Sequence, residues 1–244
     1  MNRFFLAALV FASATPAFAQ QDEPLPARVA AQKMTLPPGF KATLFAGEPD
    51  VVQPIAFCFD DRGRVWVAEC LSYPNWESDP KKGKDRIIIL EDTDGDGVHD
   101  KRTVFANNIQ NISGINYGFG GVWVCASPNL LYIPIKDGDK PGEPEIVLDG
   151  WSLQMRHNVF NSLTWGPDGW LYGCNGIIAT SKIGPPGTPD AKRVAMNCGV
   201  WRYKVPPPTP PLQGGEDTIP PAIARSPPST SPSRGSWRGR RPRR

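Results

Sequence analysis

Histidine is almost missing from this sequence: His99 and His157 are the two in 244 residues. None of the five cysteines has a Cys or His partner at zinc-ligand spacing, which excludes a zinc ribbon or finger. There is no glycine-rich phosphate loop and no Ser-His-Asp spacing, so nucleotide-cradling and serine-hydrolase motifs are absent. Beyond the first twenty residues no apolar run is long enough to cross a bilayer. No apolar stripe with a 3.6-residue period and useful length occurs there either, which argues against a helical fold.

The two ends differ from the middle. Residues 1–19, "MNRFFLAALVFASATPAFA", have a basic start at Arg3, an apolar run from Phe4 to Ala12 and a small-x-small site at Ala17–Ala19. That pattern predicts a Sec signal peptide and a periplasmic or secreted chain, with no transmembrane segment in the mature form. Residues 20–35 read as a linker. Residues 205–244 are loaded with Pro, Ser and Arg and cannot bury enough surface to offset their ordering entropy. Seven Arg against Glu216 and Asp217 give that tail +5, so in a chain of net +3 the remainder carries −2. The basic balance therefore belongs to the tail, and no nucleic-acid partner is expected of a secreted chain. The tail is either a disordered extension or out-of-frame translation of GC-rich DNA.

Between the ends runs a repeat. "FDDRGRVWVAEC" (59–70), "NYGFGGVWVCAS" (116–127) and "TWGPDGWLYGCNG" (164–176) each place a glycine turn before a short strand. Trp66, Trp123 and Tyr172 occupy the same place in each. Further apolar runs flank these strands, giving four strands in the first two repeats and three in the last. A strand-filled period near fifty points to propeller blades. The predicted fold is all-β: a partial β-propeller over 36–204, with about three four-stranded blades of an expected six. Gly39–Ala46 reads as one extra strand that would close a ring. Strands stop at Tyr203, so the third blade is expected to lack its fourth. Its open edge offers unpaired backbone groups and a route to self-association. The chain reads as a fragment or as a self-assembling piece, with the fragment favoured.

The turn "LEDTDGDGVHDKRTVFAN" packs acids between two apolar runs. Asp92, Asp94 and Asp96 stand at positions one, three and five, Gly97 at six and Asp100 at nine, with the Val98 carbonyl available as another oxygen. Alternate carboxylates at this spacing can converge on Ca²⁺, which takes six to eight oxygens. Thr103 replaces the bidentate Glu of an EF-hand, so the turn reads as a hairpin loop between Ile87–Leu90 and Arg102–Phe105. The other reading is a solvated Asp-Gly turn. His99, within it, is expected to be solvated.

Taken together, "LPPGFKATLFAGEPDVVQPIAFCFDDRGRVWVAE", "RIIILEDTDGDGVHDKRTVFA" and "HNVFNSLTWGPDGWLYGCNG" resemble the N-terminal region of the planctomycete-type membrane-bound dehydrogenase family. That family is similar to the soluble glucose/sorbosone dehydrogenases, six-bladed propellers that use pyrroloquinoline quinone (PQQ). The resemblance implies oxidation of a sugar or alcohol hydroxyl. It implies His157 as the base that takes the hydroxyl proton, with Arg156, Asn158 and Asn161 binding a quinone carboxylate or a sugar hydroxyl. The family's haem motif, C-x-x-C-H, is absent here, and its other cofactor ligands come from later blades, so the chain alone is expected to be inactive. The alternatives are a non-catalytic Ca²⁺-stabilised binding scaffold and a gluconolactonase-type hydrolase.

Cys174 and Cys198 bracket a Pro/Gly-rich loop between strands expected to pair, and in an oxidising compartment they are candidates for a disulfide. The strand tryptophans read as core. Trp76, in the loop "SYPNWESDPKKGKD", is the exception and could stand at a cleft mouth.

Overall fold

The computed structural model describes residues 24–157, 159–206 and the strand at 223–225. The segment expected to be a signal peptide, Asn158 and most of the tail lie outside the described residues. The chain divides into two compact units, one ending at Thr43 and the other beginning at Leu44. In the first unit the expected linker contains a helix, α1 (Ala27–Gln32). Three of its six residues are alanine, the strongest helix former, and the Pro26 carbonyl accepts the N–H groups of Val29 and Ala30.

The second unit is built of antiparallel sheets. The first sheet takes β1 (Pro54–Phe59), β2 (Val65–Glu69), β3 (Asp85–Glu91) and β4 (Lys101–Ile109) in chain order. The second takes β5 (Ile112–Gly118), β6 (Gly121–Ala126) and β7 (Asn129–Lys136), with β8 (Lys140–Pro141) and β9 (Glu145–Leu148) both on β7. In the third, β10 (Asn161–Trp165) and β11 (Trp170–Asn175) lead through a small hairpin, β12 (Ser181–Ile183) and β13 (Val194–Met196), to β14 (Gly199–Lys204). The sheet ends with β15 (Ile223–Arg225). Strand β1 contacts β5, and β5 contacts β10. The fold is all-β, a partial propeller of three blades with four, five and four strands, stacked through their first strands.

Alternation along each strand builds the seams between blades. Trp66, Ala68, Ile87, Ile89 and Phe105 of blade one pack with Ile115, Val122, Val124 and Ile133 of blade two. The second seam joins Trp123, Cys125, Leu130 and Leu148 to Phe160, Leu163, Leu171, Trp201 and Tyr203. A Cβ on Gly173 would fall onto the Trp201 ring, so the backbone of β11 approaches that ring as only glycine allows. The Trp66, Trp123 and Trp201 side chains are core, as their strand positions predict.

An ionic clamp joins the first two blades. Arg64 donates through Nε to Asp60 Oδ2 at 2.8 Å and through Nη1 to Asp139 Oδ2 at 2.7 Å, across to the β7–β8 turn. Trp66 Nε1 also donates to Asp60, at 2.9 Å. Burial opposes ionisation of Asp60, but these hydrogen bonds and the guanidinium outweigh it and hold the carboxyl below its ordinary range. Hydrogen bonding from Arg64 does the same for Asp139.

Two expectations need correction. No strand forms over Gly39–Ala46; Phe45 and Ala46 instead pack on Val67, Ile88 and Leu90. The Phe45 carbonyl accepts the His99 N–H rather than joining a sheet ladder. The third blade does have a fourth strand, because β15, from within the expected disordered tail, pairs antiparallel with β14. A three-residue strand among prolines is too short to register as a pattern, yet it satisfies the edge of β14. Apolar side chains of β1 stay open: Ile55, Phe57 and Phe59 are 52%, 63% and 61% exposed.

Candidate functional site

All three blades contribute to one cleft of about 260 Å³. Its walls are Ile55 from β1; Cys70, Tyr73 and Trp76 from the β2–β3 loop; Ile112 and Ser113 from β5; and Arg156, His157, Val159 and Asn161 from the segment entering β10.

Buried polar groups set these pieces in place. Asp85, fully buried at the start of β3, accepts the Ser72 N–H at 2.7 Å and the Ser72 hydroxyl at 3.0 Å. It also accepts the Ile112 N–H, at 2.7 Å. One carboxylate thus ties the β2–β3 loop to the first residue of β5. Burial raises its pKa despite those three donors. Asn111 adds a second tie, accepting the Glu77 N–H at 3.0 Å and donating to the Glu77 carbonyl at 2.7 Å, next to Trp76. Ser113 donates to the Phe160 carbonyl at 2.7 Å, and Phe160 stacks on Trp151 with centroids 4.0 Å apart. Those contacts anchor the segment that carries His157.

At the cleft mouth His157 Nδ1 lies 3.0 Å from the Tyr73 hydroxyl. When Nδ1–H donates to that oxygen, Nε2 keeps a free lone pair, the form a proton acceptor requires. Arg156 is exposed and has no ion-pair partner among the described residues. Among the described residues no Asp or Glu lines the cleft. The Trp76 indole N–H is buried without an acceptor among the described residues. Cys70 is no ready nucleophile: burial, reinforced by Asp85, raises its thiol pKa.

The structure therefore brings His157, Arg156 and Asn161 together as the sequence suggests; Asn158 lies outside the described residues. Trp76 stands in the cleft wall, half-buried. Tyr73 and Asp85 were not legible as site residues. Tyr73 sits three positions from Trp76 in the same loop, the one signal that could have marked it.

The disulfide reading is corrected. Cys174 and Cys198 are both free, because the register sets Cys174 opposite Val200 and leaves Cys198 exposed ahead of β14. The acidic turn is the β3–β4 hairpin loop. Carboxylate oxygens of Asp92, Asp94 and Asp100 lie within 4.8 Å of one another. Asp96 is outside that group and accepts the Val98 N–H at 2.7 Å. Asp92 accepts the N–H groups of Gly97 and Gly95 at 2.9 and 2.7 Å, and these bonds lower its pKa, that from Gly97 most. Gly97 has φ +89°, which an L side chain rarely adopts. His99 is not simply solvated: it is half-buried, its Nδ1 lies 2.8 Å from the Phe45 carbonyl and its Nε2 3.5 Å from Asp50.

Fold and cleft together define a partial-propeller protein with a candidate ligand site where its three blades converge. Residues 26–216 match the family described as a domain of unknown function, DUF7133, and the chain belongs to that family. The match runs past Lys204 to Glu216, so the family pattern continues into the segment read as tail. No curated protein matches the chain. Among the described residues no helix is long and apolar enough to cross a membrane.

Proposed function

We propose that this chain is a propeller scaffold that binds a small hydroxylated ligand, a sugar or alcohol, in the three-blade cleft. His157 accepts the hydrogen bond from a ligand hydroxyl. The observation that carries the reading is the Tyr73–His157 pair, which fixes an imidazole at the mouth of a cleft with an apolar floor of Ile55, Ile112 and Val159. At about 260 Å³ the cleft falls below the roughly 300–1,000 Å³ of drug-sized sites, which suits a ligand of monosaccharide size.

Oxidation of that hydroxyl, as in the PQQ dehydrogenases, needs a hydride acceptor. PQQ carries three carboxylates, whereas Arg156 is the one cationic side chain among the lining residues. The residues present do not fit that cofactor, so the reading is binding without turnover. Calorimetric titration of the full chain with aldoses and short polyols tests it. Saturable binding that His157→Ala weakens supports the proposal; no heat with any of them rejects it. The acidic loop supports a separate structural role, a Ca²⁺ staple on the β3–β4 hairpin through Asp92, Asp94 and Asp100.

A further inference from the structure

We infer that the ligand of this cleft is a sugar acid or other hydroxy acid, recognised through a carboxylate by Arg156. The inference rests on the hydroxyl-binding reading above and adds the ligand's charge. Three observations support it. Arg156 is a permanent cation at the cleft with no acidic partner among the described residues. Among the described residues that line it there is no carboxylate to repel an anion or compete for the guanidinium. The nearby buried acid, Asp85, is already committed to Ser72 and Ile112.

The chemistry divides simply. A guanidinium offers a planar fork of donors that matches one carboxylate with two parallel hydrogen bonds. A neutral sugar would leave that fork to water, while a sugar acid fills it and still presents a hydroxyl to His157. Ile55 and Val159 give the cleft apolar surface for the C–H side of such a ring. One cation suits one carboxylate, the same count that argues against a tricarboxylate quinone.

Matched pairs test the inference on the full-length chain by calorimetry: glucose against glucuronate, galactose against galacturonate, and glycerol against glycerate. Charge-assisted hydrogen bonds predict that the acid of a pair binds about tenfold or more tighter than its neutral partner. That preference should shrink as salt is raised. Arg156→Gln should remove the preference, bringing the affinity of each acid down to that of its neutral partner. Equal affinities within every pair would overturn the inference and leave the hydroxyl-binding reading standing. So would an acid preference that survives Arg156→Gln. Binding of neither member of any pair would reject the cleft as a sugar site and the inference with it.

Discussion

The Tyr73 hydroxyl meets His157 Nδ1 at 3.0 Å across 84 positions of sequence, joining a loop of the first blade to the segment that enters the third. The rings also meet in a T-shaped arrangement, with centroids 5.8 Å apart. The pair engages Nδ1, leaving Nε2 as the nitrogen available to a ligand. Tyr73→Phe keeps the ring and removes the hydroxyl. It should weaken ligand binding about three- to tenfold, the worth of one ordinary hydrogen bond, with little change in melting temperature because both side chains are exposed. Calorimetry and thermal melts on the same samples check this.

The Arg64 clamp gives stability a defined acid limb. Asp60 and Asp139 both have folded-state pKa values below the ordinary 3.8. A carboxylate depressed on folding stabilises the native form above its unfolded pKa, and that gain is lost as pH falls through the folded value. The protein should therefore lose the clamp's contribution progressively below about pH 4. Asp85, with a raised pKa, has the opposite sign, so the clamp is isolated by comparison with Arg64→Met. That variant should cost about 3–5 kcal/mol at neutral pH, because it leaves Asp60 charged and buried, and should flatten the acid limb. Urea unfolding from pH 3 to 7 measures both.

Calcium should act on the β3–β4 hairpin. If the loop holds the ion, a hundredfold excess over Kd adds about 2.7 kcal/mol, or about 5–10 °C in melting temperature. Chelator should reverse the rise, and Asp94→Asn with Asp100→Asn should abolish it. A melting temperature indifferent to millimolar Ca²⁺ would remove the metal from the account.

Thiol labelling distinguishes the free cysteines from the disulfide suggested by their spacing. Native protein treated with maleimide should label Cys198 first, because it is exposed, and leave Cys125 unmodified, because it is fully buried. Burial raises the Cys58 thiol pKa to about 12, so it should react slowly. Peptide mapping that recovers a linked Cys174–Cys198 pair would contradict the register.

The open side of β1 predicts self-association. Phe57 and Phe59 lie more than half exposed beside Ile55, an apolar stripe that water solvates poorly. Phe57→Ser with Phe59→Ser should lower sedimentation-detected oligomers and change stability by no more than about 0.5 kcal/mol per site. A monomeric wild-type chain at high concentration would refute it.

Most of the fold was readable because blades repeat. The Trp66, Trp123 and Tyr172 strands, with their glycine turns, marked three sheets before any contact was known. The fold sets Arg156, His157 and Asn161 on one cleft, and His157, with its neighbours Arg156, Asn158 and Asn161, was named from the family resemblance. Tyr73 was not, since its meaning comes from a neighbour on another blade. Asp85 reads as one polar residue at a strand start, and only folding reveals that three donors converge on it. The failed strand at Gly39–Ala46 shows the limit of local pattern: its apolar residues suit a sheet, but Phe45 found the acidic hairpin instead. The disulfide failed for a similar reason, as two cysteines flanking a loop need not face each other once strand register is fixed.

The last strand arrives late. β14 closes at Lys204, yet the segment that zips onto it begins at Ile223. During synthesis the first two wedges can therefore emerge and pack while the third still presents a raw margin. Chaperone capture and nascent-chain pairing should concentrate in that interval, making translation speed between those two points a determinant of yield.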